Sequence, residues 1–190
     1  MKRFHQCLLV GSFIPLCWLG MQVVHELGHI VAAIATGGRV AKVVLHPLAI
    51  SRTDVDPNPE PLIVVWAGPL MGVLLPLLIW AASHFGRVPG TFLIRFFAGF
   101  CLMANGAYIG AGSLDGIGDA GDMQRHGTPL WLLWLFGICT VPAGFGCWNG
   151  LGPHFGFGKS KHCVDRRLAY LSFLLLVLSL LLASAFSPRS

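Results

Sequence analysis

Long apolar stretches are the feature of this sequence that most restricts its fold. Five of them follow one another along the chain, at residues 7–36, 61–85, 89–113, 128–150 and 168–186. A helix rises about 1.5 Å per residue, so about 20 apolar residues cross the hydrocarbon core of a bilayer. The backbone finds no water there, and a helix satisfies its own hydrogen bonds. The sequence therefore predicts an all-α polytopic membrane protein with about five transmembrane helices.

The composition agrees with this prediction and excludes other classes. Hydrophobic residues make up 55% of the 190 residues, charged residues make up 11%, and the mean hydropathy is +0.71. Five spans leave no room for a large soluble domain, so we expect residues 1–190 to form a single membrane domain within the lipid bilayer. The net charge of +5 suits loops that face anionic lipid. The basic residues are not clustered as a nucleic-acid-binding face requires, so we expect no nucleic-acid partner.

The segment after the first span differs from the rest of the chain. Residues 39–46 are rich in valine and too short to cross a membrane as a helix, which favours a short strand or hairpin. Residues 51–61 hold three acids and three prolines, a pattern that predicts a polar turn.

The first span carries a short polar motif in the order His25, Glu26, Leu27, Gly28 and His29. Residues four apart lie on one face of a helix, so His25 and His29 can offer two imidazole nitrogens to one zinc ion. Glu26 lies beside them as the candidate general base. Each ionisable group at membrane depth costs on the order of 2.5–3.5 kcal/mol on insertion scales, so the cluster needs a compensating partner. A bound metal ion is the natural partner, and a polar helix-packing cluster is the alternative.

A second polar segment follows the third span. Residues 114–122 contain Asp115, Asp119 and Asp122 in a glycine-rich sequence. Spans one and three should run parallel, and Asp115 then lies within about 10 Å of the depth of the histidines, a mismatch that a tilt could remove. We predict Asp115 as the third ligand, with Asp119 as the second choice. Asp122 is the third choice and more typical of a helix cap, and a polar exit loop is the alternative for the whole segment.

Together these motifs resemble the three-helix core of the site-2 protease family of intramembrane zinc metalloproteases. Besides the motif in the first span, the resemblance rests on Ala-Gly-Pro-Leu at residues 67–70 and on Asn105 followed by Leu-Asp-Gly at residues 114–116. The similar core covers residues 7–122 and leaves residues 128–190 as two additional transmembrane helices. The resemblance implies a Zn²⁺ cofactor and hydrolysis of peptide bonds in membrane-embedded or membrane-proximal substrates.

The resemblance also implies roles for single residues. His25, His29 and Asp115 would ligate zinc. Glu26 would activate the water, and Asn105 would bind the substrate or contact the reacting centre. The strand-like segment before the second span would hold an unwound substrate by adding it as a further strand.

The third span departs from the family pattern. In the family the asparagine and the aspartate lie closer together with a proline between them, whereas here Asn105 and Asp115 are ten residues apart. Gly110 and Gly112 replace the proline. This spacing leaves Asp119 open as the third ligand.

Two other functions are compatible with the sequence. A membrane metal-binding or metal-transport protein could use the same ligands without hydrolysis. Glu26 discriminates between the two, because a transport site needs no carboxylate as a base beside the first histidine. An inactive scaffold is the third possibility, and the intact five-residue motif argues against it. The expected partner of the enzyme is a membrane protein or peptide substrate.

Overall fold

Helices make up most of the computed structural model, which describes residues 2–45, 50–160 and 163–186. In chain order the elements are α1 (Lys2–Ala35), β1 (Val40–Val44), β2 (Arg52–Val55), α2 (Pro61–Phe85), α3 (Thr91–Asp115), α4 (Gly118–Arg125), α5 (Leu130–Trp148) and α6 (Arg166–Phe186). Two short 3-10 turns, Gly152–Phe155 and Gly158–Ser160, lie between α5 and α6.

Five helices in the described ranges are long and apolar enough to cross a membrane, namely α1, α2, α3, α5 and α6. The prediction of an all-α polytopic protein with five spans and a hairpin after the first is therefore confirmed. The short connection of residues 86–90 makes α2 and α3 antiparallel. His29 near the end of α1 contacts Val64 near the start of α2, so α1 and α2 are antiparallel as well. Consequently α1 and α3 run parallel, as predicted.

The hairpin follows α1 at the end of the helical bundle. Its strands β1 and β2 are antiparallel. The β-branched residues predict β1 correctly, but the prediction of a polar turn over residues 51–61 is wrong for Arg52–Val55. Hydrogen bonds to β1 satisfy one edge of this strand, and its side chains are exposed or half-buried, so polar residues are tolerated there. Residues 46–49, including the last residue of the predicted strand segment, lie outside the described residues.

Small residues allow the helices to approach one another closely. A Cβ atom added at Gly28 of α1 would overlap the backbone of Ala67 in α2. A Cβ atom added at Gly137 of α5 would lie 2.9 Å from the carbonyl oxygen of Gly106 in α3. Helix association in a membrane depends on such van der Waals contacts, because lipid tails are as apolar as the helices. As a result α2 packs against both α1 and α3, and α5 packs against α3.

An aromatic cluster closes the end of the bundle where α1 begins. Phe13 of α1, Phe96 of α3 and Phe155 of the first 3-10 turn have ring centroids 5.0 to 6.3 Å apart. Trp148 stacks on Phe96 with a centroid distance of 4.5 Å, and its indole N–H donates to the carbonyl oxygen of Phe96 at 2.9 Å. These four residues are called the aromatic cluster below. The hairpin and α4 lie at the other end, where α1 terminates.

Candidate metal centre

Three ionisable side chains of α1 are buried near its C-terminal end. His25 and His29 are each 6% exposed, and Glu26 is 2% exposed. The two imidazoles have ring centroids 4.9 Å apart, as their four-residue spacing on a helix predicts. Burial of such groups is costly unless other elements supply polar partners.

Asp119 of α4 is a partner that both histidines share. Its Oδ2 atom lies 2.7 Å from Nε2 of His25 and 3.3 Å from Nε2 of His29. The candidate ligand atoms of these three residues all lie within 4.8 Å of one another, close enough to hold one metal ion. Two imidazole nitrogens and one carboxylate oxygen are a donor set that suits catalytic zinc. His25, His29 and Asp119 are called the metal triad below.

The chain reaches the triad through a turn between α3 and α4. Gly116 and Gly118 have positive φ angles of 61° and 55°, a conformation that glycine adopts at little cost. Ala120 and Met123 of α4 are both 0% exposed and belong to a buried cluster with residues of α2, α3 and α5. This packing places the first turn of α4, and with it Asp119, beside the two histidines.

Asp115, our first choice for the third ligand, does not lie in this group. It is the last residue of α3, and its side chain is exposed. Asn105 is the α3 residue that forms a hydrogen bond with His25. The ten residues from Asn105 to Asp115 correspond to about 15 Å of rise and place Asp115 about 80° away from that face. The helix therefore carries Asp115 past the site, and Asp119, our second choice, occupies the position beside the histidines.

Asp122, the third choice, lies one turn beyond Asp119 in α4. It forms an ion pair with Arg125 of the same helix, and its side chain is 48% exposed. The expectation that Asp122 caps the next helix is wrong. Asp122 lies inside α4, and the next helix, α5, begins at Leu130.

Neighbouring helices hold the second ring nitrogen of each histidine. Nδ1–H of His25 donates to Oδ1 of Asn105 at 2.6 Å. Nδ1–H of His29 donates to the backbone carbonyl oxygen of Val64 at 2.8 Å. These oxygens only accept, so Nδ1 of each ring carries a proton, and Nε2 is directed to Asp119. Metal-binding histidines are commonly oriented by such outer hydrogen bonds, and the triad therefore fits a metal ion.

Asn105 is 1% exposed, and the protein uses both ends of its amide. Its NH₂ group donates to the carbonyl oxygen of Cys101 at 2.9 Å, which leaves Oδ1 to face His25. Asn105 thus orients His25 and does not itself belong to the metal triad. A direct contact with substrate, which the resemblance implies, stays a prediction.

Asp119 carries a negative charge in this environment. Burial raises the pKa of its carboxyl group, but hydrogen bonds and charge interactions with His25 and His29 outweigh burial and hold the pKa well below its usual range. The group is therefore a carboxylate, which is the form that binds a metal ion.

Tyr108 of α3 supports Asp119 and was missed by sequence reasoning. Its hydroxyl accepts a hydrogen bond from the backbone N–H of Asp119 at 3.2 Å, which satisfies a free donor in the first turn of α4. Its ring packs edge-to-face on His25 with a centroid distance of 5.9 Å. The signal that could have found it is its position three residues after Asn105, on the same face of α3.

The hairpin holds Glu26. The hydroxyl of Thr53 in β2 donates to Oε2 of Glu26 at 2.6 Å. Thr53 lies opposite Val43 of β1, so strand pairing sets the position of the hydroxyl. The polar-turn interpretation of residues 51–61 concealed this residue. The signal that could have found it is the presence of two β-branched residues, Thr53 and Val55, at alternate positions.

Two glycines of α2 leave space for the site. A Cβ atom added at Gly68 would overlap Nε2 of His29 and would lie 2.8 Å from Nε2 of His25. A Cβ atom added at Gly72 would lie 2.7 Å from the amide of Asn105. The small residues of α2 therefore accommodate the triad as well as the backbone of α1.

A large cavity adjoins the triad. Its volume is about 630 Å³, and its lining includes His29, Asp119, Tyr108 and every residue of Arg52–Val55. A water molecule occupies about 30 Å³ of liquid, so the cavity has room for water and for a peptide segment. Of the two strands, β2 lines this cavity, whereas binding of a substrate by residues 39–46 stays a prediction.

Comparison with protein families identifies the chain. The family model described as Peptidase M50B-like matches residues 7–109 of the 190 residues. The match includes the polar motif of α1 and Asn105 of α3, and it ends before α4. No curated protein and no solved structure matches the chain. Since the family match covers more than half of the chain and the helices are long and apolar enough to span a membrane, the chain belongs to the Peptidase M50B-like family, the site-2 protease family of integral membrane metallopeptidases.

Proposed function

We propose that this protein is an intramembrane zinc metallopeptidase that hydrolyses peptide bonds of membrane-embedded or membrane-proximal substrates. The observation that carries the proposal is the metal triad with the buried carboxylate of Glu26 directly beside it in α1. His25, Glu26 and His29 also fit the pattern in which a helix presents two zinc-binding histidines and a general base.

The metal triad, Glu26 and Thr53 have separate roles in the proposed reaction. The metal triad would hold the ion through two Nε2 atoms and one carboxylate oxygen. Zinc, when bound there, supplies Lewis acidity that polarises the peptide carbonyl and lowers the pKa of water to about 7. Glu26 accepts the proton of the attacking water and passes it to the nitrogen of the leaving amine. Thr53 holds Oε2 of Glu26, which leaves the other carboxylate oxygen for proton transfer.

The hairpin supports a mode of substrate binding. A helical substrate protects its peptide bonds with its own hydrogen bonds and must unwind before hydrolysis. An extended segment can regain backbone hydrogen bonds by adding to the edge of a strand. In the described part of the chain β2 pairs with β1 alone, and β2 lines the large cavity. Its second edge is therefore the proposed binding edge.

The test uses purified full-length protein in detergent with a panel of single-span peptides. Wild type is expected to contain about one zinc ion per chain and to cleave at least one peptide. Glu26→Gln is expected to keep the zinc and lose cleavage, because the amide cannot accept the proton. His25→Ala and His29→Ala are expected to lose both zinc and cleavage. Equal cleavage by wild type and Glu26→Gln would contradict the proposal.

The same experiment separates the enzyme from a metal-binding or metal-transport protein. Such a protein would bind zinc through the metal triad and would cleave no peptide. Zinc content unchanged in both histidine variants would contradict a metal site of either kind.

A further inference from the structure

A second, smaller cavity lies between α1 and α3 beside the proposed catalytic groups. Its volume is about 150 Å³, and its surface is mostly apolar. It is called the apolar pocket, and its lining includes Trp18, Met21 and Glu26 of α1, Ala104 and Tyr108 of α3, and Ile50 ahead of β2. The helices α1 and α3 make few direct contacts, since α2 packs against both, and the pocket occupies the gap between them.

The apolar pocket and the large cavity adjoin each other at the site. Tyr108 and Ile50 line both spaces. Glu26 lines the pocket, whereas His29 and Asp119 line the large cavity. The proposed base and the metal triad therefore lie between the two spaces. A peptide that is extended in the large cavity can direct one side chain into the pocket while its backbone lies at the triad.

Polar residues also line the pocket, namely Gln22, His25, Glu26, Ser51 and Asn105, but most of its surface is apolar. Both ends of the Asn105 amide are hydrogen-bonded, and Oε2 of Glu26 accepts the hydrogen bond of Thr53, so the second oxygen of Glu26 is left for the reaction. The mostly apolar surface makes the pocket suited to an apolar occupant. An apolar cavity of about 150 Å³ is large enough to hold benzene.

We infer that the apolar pocket is a specificity site that binds one leucine-sized or phenylalanine-sized side chain of the substrate, from a residue that flanks the scissile bond. The inference rests on the proposed function and names the class of peptide that the site selects. Ala104 is the size-determining residue, because its small side chain leaves the volume that a larger residue would fill. Met21, which is 8% exposed, bounds the same pocket from α1.

The test compares peptides that differ only at the two positions flanking the scissile bond, with alanine, leucine, phenylalanine or tryptophan at each. In wild type, kcat/KM for leucine or phenylalanine at one of these positions is expected to exceed that for alanine by at least about tenfold, since filling an apolar pocket discriminates by this much. Ala104→Leu should reduce this ratio by at least about tenfold. The matched control is Ala107→Leu, on the exposed face of the same helix and outside the pocket, which should leave the ratio unchanged.

A second variant changes selectivity in the opposite direction. Met21→Ala enlarges the pocket and is expected to raise kcat/KM for tryptophan relative to leucine, a gain that a misfolded protein cannot produce. The inference would be overturned if Ala104→Leu cleaves the peptides with the same ratio of kcat/KM for leucine to kcat/KM for alanine as wild type. The same result is expected if a lipid acyl chain, and not a substrate side chain, fills the pocket. Absence of any cleavage by zinc-loaded wild type would instead overturn the proposed function, and the inference with it.

Discussion

The two ends of α1 are buried by different means. At its N-terminal end Leu9, Phe13 and Cys17 are buried in apolar contacts that include the aromatic cluster. At its C-terminal end His25 and His29 are buried in hydrogen bonds to α2, α3 and α4, and Glu26 is bonded to β2. One helix thus serves as a packing surface at one end and as part of a polar network at the other.

The comparison indicates what a substitution should change at each end. Apolar packing is non-directional, so a smaller side chain in the aromatic cluster removes contacts and lowers stability. Hydrogen bonds and metal ligation are directional, so a small displacement in the polar network changes the position of a reacting atom. Variants at the polar end should therefore affect zinc binding and turnover, and variants at the aromatic end should affect the free energy of unfolding.

The largest effect is expected at the third ligand. Asp119→Asn should lose zinc and cleavage, because a neutral amide is a poorer ligand than a carboxylate and does not balance the charge of the metal. Asp115→Asn is the matched control and should keep both, since Asp115 is exposed at the end of α3. Metal content and cleavage measured on both variants decide the assignment. Loss of zinc and cleavage in Asp115→Asn alone would identify Asp115 as the third ligand.

Gly68→Ala should also disrupt the polar end, although it removes no polar group. The added methyl group would overlap Nε2 of His29, so the imidazole must leave its position beside Asp119. Zinc affinity, measured by competition with a chelator, should fall by at least about tenfold, as with other changes that disturb the orientation of a metal ligand. Gly11→Ala in α1 has open space around the new Cβ atom and should leave zinc affinity unchanged. Equal zinc affinities of the two variants would show that zinc binding does not depend on the close approach of α2 to the histidines.

At the aromatic end, Phe155→Ala should lower the free energy of unfolding by about 3 kcal/mol, because it leaves a void among well-packed rings. The folded protein should still bind zinc, since Phe155 contacts Phe13 and Phe96 at the opposite end of α1 from the triad. Unfolding in detergent and zinc content at saturation give the two readouts. Phe157→Ala, at a side chain that is 54% exposed, is the control for stability. Loss of zinc in folded Phe155→Ala would mean that the two ends are coupled.

The smallest effect is expected at Thr53. Thr53→Val keeps the shape of the side chain and removes the hydroxyl that donates to Glu26. Turnover should fall by about tenfold, since a hydrogen bond to a charged group contributes about 1.5 kcal/mol or more. Thr53→Ser restores the donor and should recover most of the rate. Zinc content should be the same in both variants, and a change in zinc content would indicate a structural role for Thr53 instead of positioning of the base.

The sequence by itself determined the five spans and the part of the site that lies on α1. Apolar stretches of sufficient length must become helices in a membrane, because the backbone has no other partner there. Once α1 is a helix, its regular geometry places His25 and His29 on one face with Glu26 beside them. These conclusions depend on residues that are close together in the chain, so the local pattern was sufficient.

The tertiary structure alone decided which residues complete the site. Asp119 reaches the histidines because Gly116 and Gly118 turn the chain and because α4 packs on residues of three other helices. Thr53 reaches Glu26 because β2 pairs with β1, although its own segment resembles a polar turn. Contacts of this kind join residues that are distant in the chain, and the orientation of a side chain there depends on the packing of whole elements. A depth estimate along one helix therefore favoured Asp115, whereas the fold placed Asp119 beside the two histidines.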